Sequence, residues 1–496
     1  MDTLVALAPL LLVIILLASG RTTALAAGCL GLAATLLVVL GWAKLPIGRL
    51  AHETGVGLWL SWLVISIIVS GMFFHLCTQT RGRMQAASSR QATPQRLWST
   101  CFLLAPFAES VTGFGVGYII AIGALQRLGI HGVSALMLGL FSQSLVPWGA
   151  LAVGTTVGAS LASIPVNQLG FYSALLQGPI HALYLLIYWR VLAGTGVRVP
   201  LLRKLDDLLW TVALIALLAL ANLHTDVEIA GAGPTALLLA LRFWRDERPS
   251  PGRALQALRT HAPYVGLTLA LCATRLVEPL HDLLRPLWSW RPFDDQPAFA
   301  PLYAAGFWLV LVGMLTVWRA GADLAPVLRQ TLRSAWRSCG VTVSFLVMAQ
   351  LYVGAGLAAQ LASALASLAG FAAIGGVPLF SAVSGFLTGS GAASNAMMMP
   401  MVNALAQGLG LGIALLAAVQ NSVCTNLSML SPIRVSMGVG VIRAASEAIG
   451  KPENSAAQTA NAALNEADVY RRSLPLALAP ITVGLAAVAL VMLLGS

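Results

Sequence analysis

An all-α polytopic membrane protein is the fold class this chain predicts, and three observations carry the prediction. Of its 496 residues, 58% are hydrophobic and 9% charged, where a soluble chain has about 25% charged. Long apolar runs recur along the whole length, separated by short Arg-rich segments, and two of them are broken by Gly, Pro and hydroxyl residues. The net charge of +11 comes almost wholly from arginine. Its clusters lie between apolar runs, which is the positive-inside pattern, so no nucleic-acid partner is expected. With no long polar stretch, the chain reads as one integral-membrane domain, residues 1–496.

Residues 4–19 are apolar, preceded only by Asp2 and followed by Arg21, which suits a first membrane helix rather than a cleaved signal. Residues 22–42 and 57–77 are each long enough to cross a core of about 30 Å. The next loop carries Arg81, Arg83, Arg90 and Arg96 without an acid, so it is expected in the cytoplasm and the N-terminus outside. Spans follow at 97–128, 132–162, 170–192, 208–222 and 229–241, then an Arg-rich stretch, 242–259, expected as a second cytoplasmic loop. A span at 262–277 leads to a more acidic outer loop, 278–296. The span 301–318 then returns the chain to a third basic loop with Arg319, Arg329, Arg333 and Arg337. Residues 338–442 hold one strongly ionisable side chain, Arg434. The polar segment 443–472 reads as a cytoplasmic loop, and a last span, 474–494, leaves the C-terminus outside. The expected total is about 12 to 14 crossings.

None of the six cysteines forms a CxxC pair or stands near a His at ligand spacing, so no disulfide frame or metal site is expected. No Gly-rich stretch ends in GK[ST], which excludes an ATP-hydrolysing P-loop. Neither an enzyme nor a cofactor is expected.

The first broken run is APFAESVTGFGVG, residues 105–117. It holds Glu109, the only Asp or Glu between Thr54 and Leu205. A carboxylate at bilayer depth costs at least about 2.5–3.5 kcal/mol, so it is kept for a reason. Pro106, Ser110, Thr112, Gly113, Gly115 and Gly117 around it make a poor helix interior. The second broken run is SGFLTGSGAASNAMMMP, residues 384–400. A weak repeat links them. Units 97–192 and 338–442 each run from a Gly-rich break through an apolar helix to a helix interrupted by Pro and hydroxyls, SQSLVPWGALAVG and QNSVCTNLSMLSPIRVSMGVG. Two broken helices in corresponding halves point to a transporter's binding site, and an inverted relation would bring them together.

Such breaks suit an anion. A half-helix N-terminus offers free N–H donors and about half a positive charge, and glycines let a ligand approach the backbone. The candidate anion-binding residues are Ser110, Thr112, Gly113, Phe114, Gly115, Ser144, Trp148, Gly389, Ser390, Ser394, Asn395, Gln420, Asn421, Ser431 and Arg434. Glu109 has two readings: a structural acid paired with a basic neighbour such as Arg127, or a proton carrier, since desolvation favours a neutral carboxyl. Arg434 is either a snorkelling arginine at a loop end or a fork of donors for a substrate carboxylate. Most glycines, including Gly154 and Gly158, have helix packing as the competing reading. His75, His131 and His181 read as core or interfacial residues.

Three segments resemble the lactate permease family. PFAESVTGFGVGYIIAIGALQRLGI resembles its PF-x-EGAAGFG-x-P-x-AI-x-AALL-x-x-LG segment. GFLTGSGAASNAMM resembles GFLTGS-[DN]-T-[AS]-SN, and MLSPIRVSMGVGVI resembles M-I-SPQ-S-IA-x-A-x-x-x-VG. The resemblance implies proton-coupled uptake of 2-hydroxy monocarboxylates such as lactate or glycolate across a bacterial inner membrane. It also implies an ion-transporter fold with two inverted repeats and paired re-entrant hairpins, moving as an elevator. Glu109 matches the family's acid, and Gly389, Ser390, Ser394 and Asn395 match its second break. Val111, Thr112, Gly391, Ile433 and Arg434 depart from the pattern and imply a divergent member whose site is more basic. The expected partners are a small organic anion and the lipid bilayer, with a homodimer left open. The coupling ion is H⁺, with Na⁺ as the alternative and a passive channel as a third class.

Overall fold

The computed structural model describes residues 2–82, 92–113, 115–448 and 466–495. Among them it is helical throughout, the one extended pairing being the Trp290–Phe299 bridge. In chain order the helices are α1 (Asp2–Ala18), α2 (Ala24–Gly41), α3 (Ile47–Gly82), α4 (Pro94–Ser99), α5 (Ala105–Thr112), α6 (Val116–Arg127), α7 (Gly132–Leu140) and α8 (Gly149–Ala162). Next come α9 (Val166–Gly194), α10 (Leu201–His224), α11 (Val227–Glu247), α12 (Pro251–Thr260), α13 (Ala262–Leu276), α14 (Glu278–Leu284), α15 (Ala305–Arg319) and α16 (Leu324–Gly354). The last are α17 (Leu357–Ala369), α18 (Val377–Thr388), α19 (Gly391–Gly408), α20 (Ile413–Ser428), α21 (Pro432–Ala448) and α22 (Glu466–Gly495).

Among the described residues, eight helices are long and apolar enough to cross a membrane, or nine with the bent pair at 132–143 and 146–162. The larger expected number of crossings also takes in shorter apolar helices such as Val116–Arg127 and Ala305–Arg319. Two basic stretches expected as loops are largely helical. α11 carries Arg242 and Arg245 to Glu247, and α12 takes up 251–260. α16 starts at Leu324 and holds Arg329, Arg333 and Arg337. The reason at 242 is pairing: the side chain of Arg242 is 1% exposed, with Asp206 and Asp246 as ion partners and its guanidinium over the rings of Trp98 and Trp210. Most of the polar segment 443–472 lies outside the described residues.

Long helices form a frame around short, broken ones. α3 packs along α15 and α16, α16 along α2, and α9 along α10. Leu209, Val212, Leu220 and Leu223 of α10 stay exposed, as residues facing lipid do. Inside this frame lie most of α5–α8, α19 and α20, while α18 keeps Leu379, Phe380 and Val383 exposed. All eight residues of α5 are buried, as is every residue of α20 from Leu416 to Ser428. The α20 segment includes Gln420, Asn421, Ser422, Thr425, Asn426 and Ser428. A buried core this polar is stable only if its groups bond one another.

Candidate functional site

The first break lies where the glycines placed it. α5 stops at Thr112 because Gly113 adopts φ 70° and ψ −163°, a conformation open essentially to glycine. Gly115, at φ 82°, starts α6. Packing demands glycine too: a Cβ on Gly117 would collide with the Ala105 carbonyl, and one on Gly113 with the Ala150 side chain. Glu109, 2% exposed, turns its carboxylate onto the opened end of α6. Its Oε1 accepts the Gly115 N–H and its Oε2 the Gly117 N–H, each at 3.0 Å. The half-helix end expected to hold a substrate anion is capped by the chain's own carboxylate.

The cation facing that carboxylate is Arg434, not Arg127. Arg434 Nη1 lies 3.5 Å from Glu109 Oε1. Arg127 stands in the last turn of α6, about 15 Å along the helix axis from the capped end. Arg434 sits in the first turn of α21, after a break at 429–431, and is 9% exposed. Its backbone N–H donates to Ser431 Oγ at 3.4 Å, and its Nε donates to the Gly389 carbonyl at 3.4 Å. Gly389, at φ 63°, ends α18, and Ser390 caps α19 by accepting the Ala393 N–H at 3.3 Å. One guanidinium therefore touches both broken runs. Beside it, Tyr118 of α6 is fully buried with its hydroxyl unpartnered, and only glycine fits against that hydroxyl at Gly438 of α21.

Two helical turns along α18 from Gly389, a buried polar cluster joins the two units. The Asn395 amide donates to the Gly154 carbonyl at 2.9 Å and to Asn421 Oδ1 at 2.8 Å. The Asn421 amide donates to Thr155 Oγ1 and Ser173 Oγ, both at 3.0 Å. Ser381 donates to Gln420 Oε1 at 2.6 Å, and Ser384 and Ser394 share a hydrogen bond of 2.5 Å. Thr388 donates back to the Ser384 carbonyl at 2.8 Å, which links the cluster to the Gly389 break. α8 enters this cluster through an unusual backbone: Ala150, Leu151 and Ala152 are left-handed, at φ 49°, 55° and 62°. For residues with a Cβ that costs about 1–2 kcal/mol apiece, so the surrounding packing must hold the turn.

The sequence-derived candidates divide. Gly113, Gly115, Gly389, Ser390, Ser431 and Arg434 meet at the two breaks, and Ser394, Asn395, Gln420 and Asn421 meet in the polar cluster. Ser110 turns away: its Oγ has no partner and a Cβ on Gly231 of α11 would press on it. Thr112 donates to the Ala108 carbonyl at 2.6 Å, an ordinary bond within its own helix. Trp148 is fully buried against α10 and α11, its indole N–H donating to Asn222 Oδ1 at 3.3 Å. Ser144 is buried with its Oγ unpartnered, and its carbonyl accepts the Gln177 amide at 2.7 Å. Phe114 lies outside the described residues. Sequence reasoning missed Thr155, Ser173, Ser381 and Ser384. The available signal was the polar run QNSVCTN in α20, which needs partners on neighbouring helices.

The L-lactate permease family model matches residues 2–221 and 293–453. The glycolate permease GlcA of Escherichia coli strain K12 is 24% identical over 526 aligned positions, covering 88% of this chain and 89% of that protein. The crystal structure of the YdaH transporter from Alcanivorax borkumensis aligns with a TM-score of 0.46 and 13% identity, over 94% of this chain and 89% of that one.

Proposed function

The chain belongs to the L-lactate permease family, membrane transporters of small organic anions rather than enzymes, and from that premise we propose that it is a proton symporter for 2-hydroxy monocarboxylates such as lactate or glycolate. Glu109 carries the proton, and the two broken runs bind the anion. The observation that carries this reading is the single guanidinium that meets the Glu109 carboxylate at one break and the Gly389 carbonyl at the other. A proton held there alters the charge facing both halves of the site at once. The glycolate permease named above supports the substrate class.

Coupling to H⁺ rather than Na⁺ is supported by the position of Arg434. A sodium site built from unwound carbonyls with Ser390 and Asn395 would share the Gly389 carbonyl end with a guanidinium, and like charges repel. For one proton per monoanion, each pH unit across the membrane supplies about 1.4 kcal/mol, or about tenfold accumulation. Each unit has a glycine break, at 113–115 and at 389–390, followed by a helix and a second interruption, which supports a repeat; in the proposed reading it is inverted and its short helices move as an elevator against the frame. The Arg-rich segments support an inner-membrane placement with both termini outside.

Reconstitution into proteoliposomes tests this. An inward pH gradient is expected to drive radiolabelled lactate above equilibrium, and an inward Na⁺ gradient alone to drive none. Sodium-driven accumulation would replace the proton, and mere equilibration would mean a channel.

A further inference from the structure

We infer that the Glu109 carboxylate is an internal stand-in for the substrate: the transported anion's carboxylate binds where Glu109 now lies, on the Gly115 and Gly117 N–H groups and Arg434. The inference rests on the symport reading above and deepens it, because it says why proton and anion travel together.

Three observations lead there. The opened end of α6 is occupied by a carboxylate that takes one N–H on each oxygen, the geometry in which a ligand carboxylate would be held. Arg434 is buried, with Nη1 3.5 Å from Glu109 and Nε on the Gly389 carbonyl, which leaves Nη2 to engage an incoming carboxylate. Next to it, the unpartnered, fully buried Tyr118 hydroxyl stands one turn into α6, able to bond a 2-hydroxy acid that displaced Glu109. The charge balance is simple. With Glu109 ionised, one carboxylate faces Arg434 and no substrate is needed. A proton taken from one side neutralises Glu109, its acid leaves the α6 end, and the substrate anion restores the same charge. On the other side the anion departs, Glu109 releases the proton, and its carboxylate returns.

Ionisable groups also stand on the elements packed against α5 and α6, with Cys101 just before α5 among them. Arg434 is its recorded ion partner, and α6 brings Tyr118. α3 brings His75, which is bonded to Gln79. On α11, Glu228 pairs with Arg275 and Arg242 with Asp206.

The test is binding of radiolabelled L-lactate to the purified full chain, wild type and Glu109→Gln, at about pH 5.5 and about pH 8. Wild type is expected to bind more tightly as pH falls, by up to about tenfold per pH unit where one proton is taken up. Glu109→Gln is expected to bind at the higher pH as tightly as wild type does at the lower, with the pH dependence gone. A readout without mutation accompanies it: in weakly buffered solution near neutral pH, wild type should take up about one proton per lactate bound. Loss of lactate binding in Glu109→Gln that still elutes as a folded monodisperse protein would make Glu109 a ligand, not a competitor, and overturn the inference. So would wild-type binding without proton uptake. If wild type binds lactate at neither pH, the substrate reading falls and takes this inference with it. The first two failures leave that reading standing.

Discussion

Glu109 and Arg434 are rare charges in the apolar interior, and each is legible in the sequence as an anomaly of its segment. Their pairing is not legible, because 325 residues separate them and Arg127 lies far nearer in the chain. Once paired, each stabilises the other against the cost of burial, which fixes what their loss should do. Arg434→Ala leaves a buried carboxylate without its counter-charge and is expected to cost about 3–5 kcal/mol, read as a lower melting temperature in detergent. Adding Glu109→Gln should recover part of that loss, and an unchanged melting temperature in the double variant relative to the single would contradict the pairing. Arg434→Lys keeps a charge but not the fork of donors. Its apparent affinity for lactate is expected to fall about tenfold, the worth of one charge-assisted hydrogen bond.

The broken elements rest on glycines that the sequence displays openly. Gly113 and Gly389 have left-handed backbones, and a Cβ at Gly385 would collide with the Cys424 carbonyl of α20. Gly385→Ala should therefore separate α18 from α20 and cost about 1–3 kcal/mol in thermal stability. Gly440, with open space around it, should accept Ala with little change and serves as the comparison. Other features were hidden. The left-handed turn at Ala150–Ala152 follows Gly149 but contains no glycine itself, so no residue type announces it. Thr155 and Ser173 read as ordinary hydroxyls in helices, where the default partner is a carbonyl one turn back. Only the fold brings them to Asn421. Asn421→Leu would strand the Ser173 hydroxyl, at about 1–3 kcal/mol for a buried group left unpaired, while Thr155 keeps the Pro147 carbonyl and the Asn395 amide keeps the Gly154 carbonyl.

At the scale of the whole molecule, composition and Arg placement were enough to identify a helical membrane protein, because the bilayer constrains length and polarity so strongly. They overstated the loops, since arginines at 242 and 329–337 extend helices rather than end them. A large arginine can be buried between indole rings and carboxylates, as Arg242 is, and no hydropathy pattern reports that. The broken helices carry the charges proposed to bind and couple, and in the proposed elevator the long helices are the frame they move against. The measurement that tests the central claim most directly is lactate transport by Glu109→Gln in proteoliposomes, read both as uptake driven by a pH gradient and as exchange at equal pH. Exchange with no gradient-driven accumulation is the predicted result. Accumulation driven by the pH gradient in that variant would contradict the assignment of the proton to Glu109.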